Sequence, residues 1–218
     1  MEVNIGYIVT ALGVILLSMT LHEFMHGLVA YRLGDDTPRL LGRLTINPIK
    51  HIDPILTIAI PMMIIIMSAL SGVQTPIFGG AKPVPFNPGN IKYGEWGVAL
   101  MAIAGPLTNL LIAFVCYGLM SVFAVDAGTA LGNVLVLAVW INLGFFAFNI
   151  LPIPPLDGSR VVYSLAPEFV RRGMELIESF GLILVFLIVF LGGGVISAYM
   201  TTVISAIIQV FSRIFGVF

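Results

Sequence analysis

Residues 3–33 read VNIGYIVTALGVILLSMTLHEFMHGLVAYRL, an apolar run that contains the pentapeptide His22-Glu23-Phe24-Met25-His26 near its end. A run of this length can cross the hydrocarbon core of a bilayer as a helix. Residues i and i+4 share one face of a helix, so His22 and His26 can present both imidazoles to one metal ion. Glu23 follows the first histidine directly and can serve as the general base for a water at that ion. The stretch therefore predicts a hydrolytic metal site at membrane depth.

The five-residue pattern alone has a second interpretation, because two histidines can also cap a helix end without binding a metal. Histidine and glutamate side chains are costly in an apolar segment unless they pair with another group or bind a ligand. The position of the pattern inside a membrane segment therefore favours the metal site.

The composition places nearly all of the chain in the membrane. Of 218 residues, 59% are hydrophobic and 10% are charged, whereas soluble domains carry about 25% charged residues. The net charge of −1 gives no indication of nucleic-acid binding. The single cysteine, Cys116, excludes an intramolecular disulfide and a cysteine-rich zinc site. The N-terminus has Glu2 and no basic region, so we expect no cleavable signal peptide.

Apolar windows predict an all-α polytopic membrane protein with about six transmembrane segments. The predicted segments are about Val3–Leu33, Pro54–Ser71, Trp96–Val125, Ala130–Leu151, Leu176–Leu191 and Val195–Phe215. Gly34 caps the first segment, and a turn at Gly192-Gly193-Gly194 separates the last two. We interpret residues 1–218 as one membrane-embedded domain, with a catalytic core over about residues 1–165 and a C-terminal helical pair over about residues 168–218.

A proline-rich segment between the second and third membrane segments does not fit a regular helix. Residues 79–88 read GGAKPVPFNP, with three prolines in six residues. Such a sequence favours extended or polyproline-like backbone. An ordinary surface loop is one interpretation, and an extended stretch that lines the site is the other.

The order of the motifs favours the second interpretation. If the histidine pair and the later motif Leu156-Asp157-Gly158 serve one metal, the first and fourth segments end on the same side, and the third segment starts there. Either residues 72–92 return as extended chain, or the second segment, with Pro61 in its middle, is a re-entrant hairpin. Non-helical backbone at membrane depth is tolerated only where protein or a water-filled cavity satisfies it. We therefore predict that the proline-rich segment lines the active site.

The distribution of charge predicts the orientation in the membrane. All ten lysines and arginines fall on the catalytic side in this arrangement, and the opposite side keeps only Glu2 and Asp126. The positive-inside rule then places the catalytic face in the cytoplasm and the N-terminus outside the membrane. We expect a prokaryotic cell membrane.

Asp157 is the better of two candidates for a third metal ligand. A catalytic zinc takes three protein ligands and an open position, and His51 is the only histidine outside the pentapeptide. His51 lies in a turn-rich loop, where gating, a supporting role behind the ligands or simple interfacial solvation are alternatives. Asp157 follows the fourth segment on the required side, and its neighbours Pro155 and Gly158 let the backbone approach closely. An Asp-Gly pair alone would indicate a turn or a helix N-cap.

Three of the asparagines in the predicted membrane segments bear on the site, Asn109, Asn142 and Asn149, because an unpaired amide is costly there. Asn109 and Asn149 are predicted to face inward, and either could donate a hydrogen bond to an oxyanion or hold an extended substrate backbone. Packing between helices is the alternative role, and it is the role that we predict for Asn142.

Four motifs together resemble the site-2 protease family of intramembrane zinc metalloproteases. They are LHEFMHG at residues 21–27, GAKPVPFN at residues 80–87, AGPLTN at residues 104–109 and NILPIPPLDG at residues 149–158. The resemblance covers about residues 15–165 in the family's order. The chain is similar to the compact class of the family, which lacks PDZ and CBS domains.

The resemblance implies one Zn²⁺ per chain, with His22, His26 and Asp157 as ligands and Glu23 as the catalytic base. It also implies polar substrate handling and an extended segment against which the substrate lies. The residues implied in these two roles are Asn109, Asn149, Lys82, Pro83, Val84, Pro85, Phe86 and Asn87. The implied activity is cleavage of transmembrane or membrane-proximal segments of membrane-protein substrates within the lipid bilayer.

A non-hydrolytic metal-binding membrane protein or a zinc transporter is the alternative function, and a catalytically inactive scaffold is a further one. A transporter needs no base beside its first ligand, so Glu23 favours the hydrolase. The intact ligand set argues against the inactive scaffold.

The proline-rich segment itself has two possible roles. Val84 carries the only backbone N–H between Pro83 and Pro85, and we expect this N–H to be free for a substrate strand that pairs with the segment. The alternative is that the segment only seals the cavity against lipid.

Overall fold

The computed structural model of the chain describes residues 5–59, 63, 80–181 and 193–216. Across these ranges the protein consists of seven α-helices and no β-strand. They are α1 (Ile5–Arg32), α2 (Thr37–Leu40), α3 (Glu95–Val122), α4 (Ala130–Asn149), α5 (Asp157–Leu165), α6 (Glu168–Ser179) and α7 (Gly193–Phe215). Short 3₁₀-helical turns at Pro48–His51 and Pro88–Asn90 and a π-helical turn at Pro54–Ala59 complete the helical structure.

Four helices are long and apolar enough to cross a membrane, namely Gly6–Arg32, Glu95–Val122, Ala130–Asn149 and Gly193–Phe215. A helix suits this role because its backbone polar groups are satisfied within the segment. The four helices correspond to the predicted first, third, fourth and sixth segments. The predicted second and fifth segments lie mostly outside the described residues, so the count of six stays a prediction.

The first helix ends at the glycine that the sequence indicates. Gly34 has a φ of +109°, which a residue without Cβ adopts freely. The N–H groups of Gly34 and Asp35 donate to the carbonyls of Tyr31 and Ala30 at 3.1 and 3.0 Å, which satisfies carbonyls left open at the helix end. The end of α1 is therefore well defined, and Asp35 is fixed directly beyond it.

The chain returns to this end of α1 before α3 begins. The N–H of Lys92 donates to the carbonyl of Leu33 at 2.8 Å. The end of the bundle that carries Leu33 and Lys92 is called the site end below. The contact brings Lys92 to the end of α1, in agreement with the predicted return of the chain, while residues 72–79 of that return lie outside the described residues. Residues 80–87, which hold most of the proline-rich segment, have no helical structure.

Helices α1, α3 and α4 form the central bundle, with α3 in contact with both partners and with α5. Helix α3 buries many small residues: Gly97, Ala99, Ala102, Ala104, Gly105, Ala113 and Gly118. Small residues let membrane helices approach closely. The bundle can therefore bring side chains of α1 against the backbone of α3.

Helix α7 packs through aromatic rings on the C-terminal half of α3, the half that is distant from the site end. The ring of Phe114 lies 5.2 Å from that of Phe211 and 5.1 Å from that of Phe215, measured between centroids. Tyr117 and Ser212 are joined through their hydroxyl groups at 2.9 Å. Gly193 and Gly194, which were predicted to form a turn, belong to the first turn of α7.

Helices α5 and α6 form an amphipathic pair at the site end. An ion pair joins Arg160 to Glu178, and the Tyr163 hydroxyl donates to Glu175 at 2.6 Å. This hydrogen bond, together with burial, raises the pKa of Tyr163 to about 12. Residues 176–179, the start of the predicted fifth segment, belong to α6.

Candidate metal centre

Three electron-pair donors from two distant parts of the chain converge near the site end. His22 and His26 lie one turn apart on α1, and Asp157 is the first residue of α5, just after α4. Asp157 Oδ2 lies 3.2 Å from His22 Nε2 and 3.4 Å from His26 Nε2, and the two Nε2 atoms are 3.0 Å apart. Both histidines are buried. The structure thus brings together the three residues predicted as ligands.

The opposite nitrogens of the two imidazoles are hydrogen-bonded to oxygen atoms. His26 Nδ1 donates to the carbonyl of Met101 at 2.9 Å, and His22 Nδ1 lies 2.6 Å from Asn109 Oδ1. Because the proton of each neutral ring is then on Nδ1, each Nε2 presents a lone pair to the shared point. Two lone pairs and a carboxylate so close together require a cation between them or a proton shared among them.

The spacing of the donors fits a zinc ion. Zinc bonds of about 2.0–2.2 Å in a tetrahedral arrangement place neighbouring donors about 3.3–3.6 Å apart. The observed separations of 3.0, 3.2 and 3.4 Å lie close to this edge length. Burial raises the pKa of Asp157, but a proton shared with His26 and His22 outweighs it and holds the pKa below its ordinary value, and a cation bound at this point would act in the same direction. The donor set is therefore two imidazoles and an ionised carboxylate.

Two glycines allow the close approach that this geometry needs. A Cβ atom on Gly105 would lie 2.3 Å from His26 Nε2 and 2.7 Å from His22 Cε1, so only glycine fits between α3 and the imidazoles. A Cβ atom on Gly158 would lie 2.2 Å from the carbonyl oxygen of Ile150. The close backbone approach expected beside Asp157 is thus observed.

The predicted base, Glu23, is half-buried beside the predicted ligands and is bound by the proline-rich segment. Its Oε2 accepts the N–H of Val84 at 3.0 Å. The expectation that this N–H is free for a substrate is therefore wrong. Val84 is buried, and a buried N–H needs a hydrogen-bond acceptor. A carboxylate is an especially strong acceptor.

The proline-rich segment is attached to the protein at three backbone N–H groups. Lys82 donates to the carbonyl of His51 at 2.8 Å, Val84 donates to Glu23, and Asn87 donates to Asp35 Oδ2 at 2.7 Å. The side chains of Lys82, Pro83, Pro85 and Asn87 are exposed, while Phe86 packs against an apolar cluster of α1 and α3. The segment thus lies against Glu23 with part of its surface open, and the prediction that it lines an active site stays a prediction.

Asp35 holds the far end of this segment. The carboxylate is fully buried and also accepts the backbone N–H and the hydroxyl of Thr37 at 3.1 and 2.6 Å and the amide of Asn90 at 3.2 Å. Burial raises the pKa of Asp35, but these hydrogen bonds outweigh it and lower the pKa below its ordinary value. Asp35 therefore stays ionised at neutral pH.

The three membrane asparagines have different surroundings. Asn109 is fully buried, and its amide donates to Asn142 Oδ1 at 2.8 Å while its oxygen faces His22. Asn149 is half-buried, and its amide donates to the carbonyl of Phe145 in its own helix at 3.1 Å. The predicted substrate contacts of Asn109 and Asn149 stay predictions, and both polar groups of Asn109 already have protein partners.

His51 is not among the converging donors. It is buried, and its Nε2 lies 2.8 Å from the carbonyl of Thr45. Its backbone carbonyl instead holds Lys82 in the proline-rich segment. This placement agrees with the preference for Asp157 as the third ligand.

Sequence reasoning missed Gly105 and Asp35. Gly105 could have been found, because it precedes Asn109 by four residues and so shares its helix face. Asp35 gave no comparable signal: an Asp two residues before Thr37 indicates a local turn, and its contact with Asn87 spans 52 positions of the chain.

Comparison with known proteins gives a consistent set of similarities. The family described as "Peptidase family M50" matches residues 124–192, a range that contains Asp157. Over 211 residues, 92% of this chain and 90% of the relative, the sequence is 39% identical to "Putative zinc metalloprotease YwhC" of Bacillus subtilis (strain 168). Rip2 of Mycolicibacterium smegmatis, whose name carries the same description, is 30% identical over 186 residues, 83% of this chain and 66% of the relative. The search of solved structures found no match.

Proposed function

The chain belongs to peptidase family M50, and we propose that it cleaves transmembrane or membrane-proximal segments of other membrane proteins. It is a zinc metallopeptidase of this site-2 protease family, with several helices that are apolar enough to span a bilayer. The observation that carries the proposal is the convergence of His22, His26 and Asp157, at 3.0–3.4 Å, beside the carboxylate of Glu23.

The proposed chemistry divides between the metal and the protein. His22, His26 and Asp157 would hold the zinc ion, which would supply the acidification of a water and the polarisation of a carbonyl group. Glu23 accepts the proton of the attacking water and later donates it to the leaving amine. One of its oxygens accepts the Val84 N–H, which fixes the direction of the carboxylate and leaves the other oxygen for the proton.

Substrate binding requires an unwound backbone, because a helix hides its carbonyl groups in internal hydrogen bonds. We propose that residues 82–87 receive the unwound stretch along their exposed side, and that Asn149 contributes an amide near the scissile bond. Pairing with an already extended segment lowers the entropic cost of ordering the substrate. Asn109 instead supports His22, since both of its polar groups have protein partners.

The site needs water in a hydrophobic surrounding, so we propose that it opens to the cytoplasm. The positive-inside rule supports this orientation, because most of the basic residues lie toward the site end. Arg213 is an exception to the sequence prediction: its neighbour Ser212 contacts Tyr117, in the half of α3 that is distant from the site end. The same orientation places the N-terminus outside the membrane.

The rival function is zinc binding or transport without hydrolysis. A general base contributes about 10²–10⁴-fold to catalysis and nothing to metal binding. The half-buried carboxylate of Glu23, held beside the ligands by Val84, therefore favours hydrolysis.

Two substitutions separate the roles. We expect Glu23→Gln to keep one zinc per chain and to lose cleavage by about 10²–10⁴-fold, whereas Asp157→Ala loses both. Zinc is measured by mass spectrometry of the purified protein, and cleavage by proteomics of substrate fragments in cells that express each variant. Wild-type zinc affinity in Asp157→Ala would refute the ligand set, and full cleavage by Glu23→Gln would refute the role of the base.

A further inference from the structure

A chain of buried hydrogen bonds connects the metal centre to the backbone of α4. His22 Nδ1 lies 2.6 Å from Asn109 Oδ1, and Asn109 Nδ2 donates to Asn142 Oδ1 at 2.8 Å. Asn142 Nδ2 donates to the Ser18 hydroxyl at 2.9 Å and to the carbonyl of Ala138 at 2.8 Å. Both asparagines are 0% exposed, and Ser18 is 3% exposed. The chain therefore joins α1, α3 and α4 without contact with solvent.

The direction of every bond in this chain follows from one backbone carbonyl. The Ala138 oxygen can only accept, so the Asn142 atom that contacts it must be the amide nitrogen. Asn142 then presents its oxygen to Asn109, so Asn109 must donate with its own amide nitrogen. The oxygen of Asn109 consequently faces His22, and the His22 proton is placed on Nδ1.

We propose that Asn142 is a positioning residue for the metal centre, which acts through Asn109 to keep the lone pair of His22 Nε2 directed at the zinc. Without Asn142, the amide of Asn109 has no fixed partner and can turn its nitrogen toward His22. The imidazole would then accept at Nδ1 and carry its proton on Nε2, which prevents metal binding. This role goes beyond the packing between helices that the sequence predicts for Asn142.

The proposal depends on the zinc site of the proposed function, so its test measures metal binding and not cleavage. We expect Asn142→Leu to weaken zinc affinity by about 10–100-fold, the usual loss when the hydrogen-bond partner behind a histidine ligand is removed. Zinc affinity is measured by chelator competition, and the ligand field by the visible spectrum of the Co²⁺-substituted protein. Asn142→Ala, which leaves a small cavity, has the same expected effect and serves where the leucine variant does not accumulate.

A matched control lies on the same helix. Asn149→Leu removes an amide that bonds only within α4 among the described residues, so it should keep wild-type zinc affinity. An equal loss of affinity in Asn142→Leu and Asn149→Leu would show that the loss reflects altered helix packing, and it would overturn the proposal.

A rescue variant separates positioning from packing. A carboxylate accepts through both oxygens, so Asn109→Asp faces His22 with an acceptor in either orientation. The double variant Asn142→Leu/Asn109→Asp should therefore recover zinc affinity to within about threefold of wild type, as carboxylate–histidine–zinc arrangements do elsewhere. Wild-type zinc affinity in Asn142→Leu would overturn the proposal, and so would a double variant that binds no better than the single one. A Co²⁺ spectrum that changes in Asn142→Leu and returns in the double variant would support it.

Discussion

At the scale of single residues, the metal centre depends as much on a missing side chain as on the ligands. Gly105 places the backbone of α3 directly against both imidazoles, where a Cβ would lie 2.3 Å from His26 Nε2. Protein interiors are close-packed, and added methyl groups force side chains or backbone to shift. The position of α3 relative to α1 is therefore set by this contact.

We expect Gly105→Ala to abolish tight zinc binding, because the new methyl group displaces the imidazoles by more than the bond-length tolerance of the ion. Overpacking should also cost about 1–3 kcal/mol of stability. Zinc stoichiometry and the melting temperature in detergent measure the two effects.

Gly144→Ala is the matched control, since a Cβ on this glycine of α4 meets nothing within 4 Å. It should keep the zinc and change stability by less than about 1 kcal/mol. One tightly bound zinc per chain in Gly105→Ala would contradict the steric argument.

The sequence was sufficient to predict that His22, His26 and Asp157 converge, because helical periodicity is a local rule. His22 and His26 share a helix face by their spacing alone, and the order of the motifs placed Asp157 at the same end. It was not sufficient for Asn142, whose partners Ser18 and Asn109 lie 124 and 33 positions away. Which of several membrane asparagines meet depends on the rotation of the helices, which apolar composition does not specify.

At the scale of elements, the proline-rich segment is non-helical chain that pairs with no neighbouring strand among the described residues. Side-chain carboxylates fix it to the end of α1 instead. Glu23 holds its middle at Val84, and Asp35 holds its end at Asn87. The sequence predicted an extended segment from its prolines, but it could not predict these two attachments. Both depend on which residues of α1 face the returning chain.

We expect Asp35→Asn to loosen the segment, because the substitution removes the charge and can place an amide nitrogen opposite the N–H of Asn87. A buried N–H without an acceptor costs about 1–3 kcal/mol. Hydrogen exchange of a peptide that covers residues 80–92 should accelerate. Asp36→Asn is the control, since the neighbouring carboxylate is exposed and makes only a 3.9 Å ion pair with Arg39. Equal exchange in Asp35→Asn and wild type would exclude the attachment.

Acid should reproduce the effect of this substitution. The folded protein lowers the pKa of Asp35, so the stabilisation is fully present above the ordinary carboxyl pKa of about 3.9. It is lost as the pH falls through the lower folded value. Protonation of Asp35 should therefore change the rate of hydrogen exchange in the segment below about pH 4. Between pH 5 and 8 it should have no effect on this rate.

At the scale of the whole molecule, hydropathy predicted the four long apolar helices that the structure describes. The requirement that the first and fourth segments end on one side, where the third begins, predicted that the chain returns to the end of α1. Helix α3 has 28 residues and a length of about 42 Å, so it is long enough to place its two ends on opposite sides of a bilayer. Lys92 precedes the helix and Asp126 follows it.

Labelling tests this arrangement. Single cysteines at Lys92 and Asp126, both exposed, are introduced with Cys116→Ala to remove the native thiol. We expect a membrane-impermeant reagent to reach Lys92→Cys only from the cytoplasm and Asp126→Cys only from outside. Reaction of both cysteines from the same side would rule out the topology, and reversed sides would rule out the orientation.

The attachments of the proline-rich segment also determine what kind of chain can bind to it. From Lys82 to Phe86, two residues are prolines without an N–H, and the N–H groups of Lys82 and Val84 are used within the protein. The segment therefore offers a neighbour mostly carbonyl lone pairs. Two such edges do not complement each other, so they give two copies of the enzyme no basis for pairing, and the interior of an intact helix has no free N–H to donate. If residues 82–87 bind the substrate as we propose, a polypeptide that has lost its helical hydrogen bonds is the partner that satisfies this edge, and the segment would select for unwound backbone.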